Sequence, residues 1–326
     1  LAAKKLVGVV AHSHKKHPCH QCRITKAEIN TPKAYDWRNL ESFEPSTLLK
    51  RAFEYERATP ERKAAIEEEY GVRFSPLLRL QGMEHAGSSP VDPLHNSFLG
   101  IAKAFVNMLF KHDIFSEEED RQVFMAVFEK ACYPGHLGRL PSRITKQFAS
   151  DRRLAGSGLK ADQWKRIIQV LPIALFVALR DPENDQIDDV DQEPIDFQAR
   201  EPTPLPNGRA RKRKRQSDVR RNSREWYRVA IMICSALSTL HSHTISIREA
   251  MSAVDDLAGA STAILAMGET LTINWHIAMH YVDAVRRFGP LSGFATWAFE
   301  RNNGALSRVK HNGQERDVPS TLLRSW

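Results

Sequence analysis

The chain has few cysteines and no long apolar run, and each shortage excludes a class of protein. It contains four cysteines in 326 residues, too few for the disulfide framework of a small secreted protein. No apolar stretch reaches the roughly 18–20 residues that cross a bilayer, and no signal peptide is recognisable. We therefore expect a protein of a reducing compartment with no membrane partner.

The chain also lacks an initiator methionine and begins inside an apolar pattern, so we expect it to be part of a longer protein. Its content of 42% hydrophobic and 26% charged residues is typical of a globular protein with a well-formed core. The formal net charge of +8 includes two opposed blocks. Residues 181–201 carry nine acids and one arginine, and residues 209–225 carry nine basic residues and two acids. The positive excess elsewhere is mild, and it suits a polyanionic partner without requiring one.

A His-rich C-x-x-C motif lies close to the start of the chain. Cys19 and Cys22 have the spacing with which two thiolates grip one tetrahedral Zn²⁺ from a tight turn. Four neighbouring histidines could complete the shell: His12, His14, His17 and His20. We favour a structural zinc site with Cys19, Cys22, His14 and His17 as ligands. A metal-free basic loop and a redox-active pair remain open, although no βαβ unit accompanies the motif as a redox site would require.

Two further histidines, His276 and His280, are spaced i, i+4 on one face of a predicted helix. This spacing can bind a metal, but without an acid between the histidines it is more typical of core packing or of an interface.

Three other residues could form an acidic site. Asp92, Pro93 and His95 form D-x-x-H at the start of a predicted amphipathic helix, where Asp followed by Pro is first of all an N-cap signal. Glu300 ends an apolar aromatic run and precedes Arg301. It could be a metal-binding carboxylate held by the fold, or a surface glutamate paired with Arg301 or water.

The two charged blocks lie in one predicted linker, 181–225, and its basic block contains a short run of the kind that nuclear import receptors or nucleic acids bind. A solvated, disordered segment is the alternative. The run consists of Arg211, Lys212, Arg213, Lys214 and Arg215.

Several of these segments together resemble CACTA-type (En/Spm-like) DNA transposases of fungi and plants. The resemblance is carried by D-P-L-H with the following N-S-F-L-G-I-A-K, by a Leu-Pro-Ser-Arg-Ile phrase at 140–144, by A-D-Q-W at 161–164, and by the G-P…F-E-R-x-N-G close at 289–304. The His-rich C-x-x-C region agrees with it in order. The similarity covers most of the chain apart from the linker.

The resemblance implies a mainly α chain, namely a partial RNase H-like α/β catalytic domain that carries a large helical insertion. In this division, residues 1–110 are a partial catalytic core with the expected zinc loop, and residues 288–326 are the end of that core and the tail. Residues 111–180 and 226–287 are the two parts of the helical insertion, and residues 181–225 between them are a disordered charged linker. Contacts to double-stranded DNA at transposon ends are expected from Arg139, Arg143, Arg301 and Lys310. The family also implies a nuclear location, allows a homo-oligomer, and gives no reason to expect a small-molecule substrate.

Such transposases cleave and transfer DNA strands with three carboxylates that hold two Mg²⁺ or Mn²⁺ ions. Glu300 would be the third carboxylate, with Asp92 and His95 as the family's [C/D]-x-x-H pattern. In the family the first two acids lie upstream of the His-rich region, and no acid precedes His12 here. We therefore expect this chain to be inactive alone. The alternative is a non-catalytic nuclear, zinc-containing DNA-binding or scaffold protein of transposon origin.

Overall fold

The fold is predominantly helical. The computed structural model describes residues 6–115, 117–134, 140, 144, 158–193, 218–306 and 308–309. Helices make up 60% of the structure and strand 3%, which confirms the mainly α prediction. Within those ranges, extended pairing is limited to four isolated antiparallel bridges. None of the helices found there has both the length and the apolar character needed to span a bilayer.

We number the α-helices in chain order and name the other helices by type. The order is 3₁₀ Pro32–Tyr35, α1 Pro45–Arg57, α2 Pro60–Tyr70, 3₁₀ Pro76–Arg79, π Leu94–Ala102, α3 Lys103–Lys111, α4 Glu118–Lys130, α5 Ala161–Leu179, α6 Ser223–Leu240, α7 Ile247–Ala266, α8 Ile273–Ile277, 3₁₀ Ala278–His280, α9 Tyr281–Phe288, α10 Leu291–Phe294 and α11 Trp297–Leu306.

Local signals account for the α1–α2 hairpin. The Thr59 hydroxyl accepts a hydrogen bond from the backbone N–H of Arg62, and Pro60 occupies the first turn, so residues with strong helix-start preferences begin α2. Gly71 ends α2 in the left-handed region, with φ of +67°. The hairpin has a small core of its own around Leu48 and Ile66.

The larger core is formed by α3 to α9 and the π-helix. The α6–α7 hairpin is its centre, and a capping box between Ser246 and Glu249 starts α7. Helix α5 packs on α4 and α6 and buries Trp164 completely. Pro172 lies inside α5, which nevertheless continues to Leu179. Burial of its apolar face outweighs the lost hydrogen bond because most helix stability comes from tertiary packing.

The helix predicted after Asp92 begins with nine residues of π-helix, Leu94–Ala102. Such segments are rare and are frequently found at functional sites. This one is anchored to the later helices through Asn96: its Nδ2 donates to the Asn274 carbonyl at 3.0 Å, and its Oδ1 accepts from the Tyr281 hydroxyl at 2.6 Å. Gly100 permits the close approach, since a Cβ there would lie 2.7 Å from Nδ2 of Asn274.

The segment 273–287, predicted as one helix, is divided by the 3₁₀ turn Ala278–His280. Both His276 and His280 are buried, with their ring centroids 5.3 Å apart. The turn therefore keeps the two imidazoles adjacent while it redirects the chain into α9.

The described ends of the predicted linker are structured. Helix α6 already begins at Ser223, capped by the Asn222 side chain, which accepts a hydrogen bond from the Glu225 N–H. The acidic and basic blocks meet here, because Arg220 pairs with Asp191 at 2.8 Å. The linker's middle, 194–217, lies outside the described residues.

Candidate functional site

Two thiols from the start of the chain and two imidazoles from near its end form one buried group. The Sγ of Cys22 lies 3.2 Å from Nε2 of His276, and the Sγ of Cys19 lies 3.4 Å from Nε2 of His280. All four potential ligand atoms lie within 4.8 Å of one another. A tetrahedral zinc with bonds of about 2.3 Å to sulfur and 2.0 Å to nitrogen has S···N edges of about 3.5 Å. The group can therefore hold a metal ion such as zinc.

The surrounding backbone orients these donors. The carbonyl of Ala34 lies 2.7 Å from Nδ1 of His276, so this ring donates through Nδ1 and presents the Nε2 lone pair to the thiols. The backbone N–H of Gln21 donates to the Cys19 sulfur at 3.4 Å. The bridge between Cys22 and Ser42 holds the second thiol against the following loop. Metal ligands are usually supported by such outer hydrogen bonds.

The two thiols differ in their tendency to ionise. Burial opposes ionisation of the Cys19 thiol, but its hydrogen bond with Cys22 and the charges of His280 and His276 lower its pKa overall. The pKa of Cys22 is raised by the same hydrogen bond, by burial and by the Cys19 charge. One thiolate is thus stable beside the imidazoles, whereas a second requires another cation among them.

The ligand set differs from the prediction in its two histidines. In the described loop, Nδ1 of His14 accepts the backbone N–H of His17 at 3.0 Å, and the His17 ring packs edge-on against Phe43 at 5.5 Å. His12 and His20 contact backbone carbonyls of Pro18 and Ser89. None of these four belongs to the Cys2His2 group. The i, i+4 spacing of His276 and His280 was the available signal, but without an acid between them it favours core packing or an interface over a metal site.

The thiols do not have the surroundings of a redox pair. Cys19 and Cys22 are both free and are 3% and 0% exposed. Redox-active cysteines are partly exposed so that an attacking thiolate can reach a partner. Burial therefore favours the metal-binding interpretation over the redox one.

The structure also brings together Asp92, His95 and Glu300, which are 208 residues apart at their extremes. Asp92 contacts Nδ1 of His95, and Nε2 of His95 lies 3.5 Å from Glu300. Asp92 is further held by Thr296, whose hydroxyl donates to it at 2.7 Å just before α11 begins. Burial raises the pKa of Asp92, but the hydrogen bonds from His95 and Thr296 lower it overall.

This acidic cluster is more open than the metal-binding group. The side chains of His95 and Glu300 are 50% and 52% exposed, whereas that of Asp92 is 23% exposed. Asp92 is therefore the most firmly held residue of the cluster, whereas the carboxylate of Glu300 is open to solvent. Arg301 is exposed beside it. The other predicted DNA contacts, Arg139, Arg143 and Lys310, lie outside the described residues, as do residues 211–215.

Comparison of the chain with protein-family models, with curated proteins and with solved structures gave no match.

Proposed function

We propose that the Cys2His2 group binds Zn²⁺ and that its role is structural. Two sulfur and two nitrogen donors suit zinc, and four protein ligands leave no open position for a substrate or water. The ligands are 254 and 261 residues apart in the pairs that touch. Zinc held by them would fasten the first 22 residues to α8 and the 3₁₀ turn that follows it.

We further propose that the chain belongs to the catalytic domain of a CACTA-type DNA transposase. The observation that carries this proposal is the convergence of Asp92, His95 and Glu300, the residues that the family resemblance selected. The finer expectation of an RNase H-like α/β core, interrupted by the helical segments, is part of the same proposal. Its substrate would be the double-stranded DNA of transposon ends, and its location the nucleus.

In this proposal each residue of the cluster has a separate task. Asp92 holds the His95 ring through Nδ1, and His95 faces Glu300 with Nε2, so the carboxylate is kept near one position. Glu300 would be one carboxylate ligand for Mg²⁺ or Mn²⁺. A cation bound there would stabilise the charge that develops on a phosphodiester during strand transfer. One such carboxylate is insufficient for a two-metal site, so other acids must join it.

The test is strand transfer by the full gene product with a supercoiled donor plasmid. Glu300→Gln should lower the rate by more than about 100-fold, and Asp92→Asn by about 10–100-fold, because outer partners of metal ligands have effects of that size. Glu119→Gln, an exposed acid in the first turn of α4, is the matched control. Wild-type strand transfer by the Glu300→Gln protein would refute the catalytic assignment.

One observation favours the alternative, a non-catalytic zinc-containing DNA-binding or scaffold protein. Within the described parts of the chain, the Cys2His2 group is the only set of three or more potential ligands close enough to share a metal. The two functions separate in one experiment: the alternative predicts duplex binding by the full gene product but no cleavage at any concentration of Mg²⁺ or Mn²⁺.

A further inference from the structure

Lys165 on α5 is a half-buried lysine that lies beside an aromatic ring. Its Nζ lies 5.9 Å from the ring centroid of Trp297. Across the described residues, no carboxylate comes within ion-pair distance of it, and burial alone accounts for its lowered pKa. Lys111, by contrast, is exposed and is paired with the buried Glu269. A desolvated ammonium group with no counterion is costly, and so it favours an anionic ligand.

The position of Lys165 connects it to the acidic cluster. Trp297, its aromatic neighbour, is the first residue of α11, and Glu300 follows three residues later on the same helical face. Thr296, the residue before Trp297, holds Asp92. Lys165 therefore lies beside the first turn of α11, the helix that carries Glu300.

His241 lies in the same region. His241 is 5% exposed, and its Nε2 has no hydrogen-bond partner among the described residues. Its ring packs on Phe98 at 4.5 Å, and Phe98 packs on Trp297 at 6.1 Å. Burial and the charge of Lys165 lower the pKa of His241 to about 3, against an opposing effect of Asp92. The buried Nε2 of His241 is therefore able to form a hydrogen bond with a ligand atom.

From this arrangement we propose that Lys165 and His241 form a subsite for a backbone phosphate of DNA, beside the Asp92–His95–Glu300 cluster. The inference rests on the proposed function, since it takes DNA as the substrate. Lys165 would supply the counter-charge for one phosphate, and Nε2–H of His241 would donate to one of its oxygens. Both are positioning residues: they would fix where the strand lies relative to Glu300 without taking part in bond cleavage.

The test measures the affinity of this chain for a fluorescent 30-bp duplex by anisotropy, between 50 and 300 mM KCl. One phosphate contact contributes about 0.9 to the slope of log affinity against log salt. Lys165→Gln should therefore make the slope less negative by about 0.9 and weaken binding about 8-fold at 0.1 M salt. Lys165→Arg should keep the wild-type slope. Lys50→Gln, the same change at an exposed lysine of α1, should have no effect.

His241→Phe gives an independent expectation. It removes a neutral hydrogen bond and retains an aromatic ring against Phe98, so binding should weaken about fivefold without a change of slope. Each variant is checked for its melting temperature and metal content. If Lys165→Gln does not fold, protection of Lys165 from an amine-reactive reagent by DNA, measured in the wild-type chain by mass spectrometry, replaces it.

The outcomes separate the two proposals. A wild-type slope for Lys165→Gln, or no protection of Lys165 by DNA, overturns the phosphate subsite and leaves the catalytic assignment of Glu300 intact. A wild-type chain that does not bind duplex DNA at any salt concentration overturns both. Two results together support both proposals. Lys165→Gln should show the less negative salt slope, and Glu300→Gln should be inactive in strand transfer by the full gene product.

Discussion

Removal of a single ligand from the Cys2His2 group tests the most specific feature of the fold. We expect His280→Ala and Cys22→Ser to lose bound zinc, whereas His14→Ala and His17→Ala should retain about one zinc per chain. The expectation follows from the distances, because Nε2 of His280 lies 3.4 Å from the Cys19 sulfur while His14 is occupied by the backbone of its own loop.

The expected loss of stability on zinc removal follows from the length of the loop that the bound metal would close. Cys22 and His276 are 254 residues apart. In the chain-entropy description of a cross-link, a loop of that length is worth about 5 kcal/mol at 25 °C. For a chain of this size, 1 kcal/mol corresponds to about 2–4 °C in melting temperature, so zinc removal should lower it by about 10–20 °C.

The assay combines metal analysis by mass spectrometry with thermal unfolding followed by circular dichroism, with and without a chelator. Chelator should lower the melting temperature of the wild-type chain to that of His280→Ala and should leave His280→Ala unchanged. The reasoning would be refuted by a wild-type chain free of metal. It would equally be refuted if the His14 or His17 variants lost zinc while the His280 variant kept it.

Two predictions concern stability elsewhere. Burial raises the pKa of Glu269, but His112 and Lys111 lower it to about 2 overall, below its ordinary 4.5. The contribution of the ionised Glu269 to the stability of the fold should therefore be complete above pH 4.5 and be lost as the pH falls towards 2. Glu269→Gln should cost on the order of 3 kcal/mol at pH 7 in urea unfolding and little at pH 2, and a cost independent of pH would contradict this. Gly100→Ala should destabilise by about 1–3 kcal/mol despite the better helix propensity of alanine, because its Cβ would clash with Asn274. Relief of that loss by adding Asn274→Gly would support the clash, and wild-type stability of Gly100→Ala would contradict it.

Much of the helical architecture was accessible from sequence because its signals are local. Thr59 with Pro60 and Gly71 mark the ends of α2, and the apolar periodicity of 159–180 and 226–267 corresponds to α5, α6 and α7. The signals were weaker where tertiary contacts override propensity. The π-helix after Asp92 depends on the fit of Gly100 and Asn96 against Asn274, which no local pattern contains.

The start of α6 is a second place where the sequence pattern did not predict the structure. The charge pattern of 181–225 predicts a solvated linker, but Asn222 caps α6 from inside that range. Arg220 and Asp191 belong to the opposite blocks, and their pairing depends on where the chain returns after residues 194–217. Charge composition describes each block alone, and it carries no information about which groups meet.

By itself, the sequence determined that the protein is mainly helical, that Cys19 and Cys22 are spaced to share a metal, and that Asp92, His95 and Glu300 are chemically able to act together. These are properties of residue type and of short spacing. Only the tertiary structure decided that His276 and His280 meet the thiols and that Glu300 lies beside His95. It also decided that Lys165 lies near the Trp297 ring and that Nε2 of His241 has no hydrogen-bond partner among the described residues. The physical reason is that such contacts join residues up to 261 positions apart. Packing of the whole core fixes them, because many different partners satisfy the same local pattern.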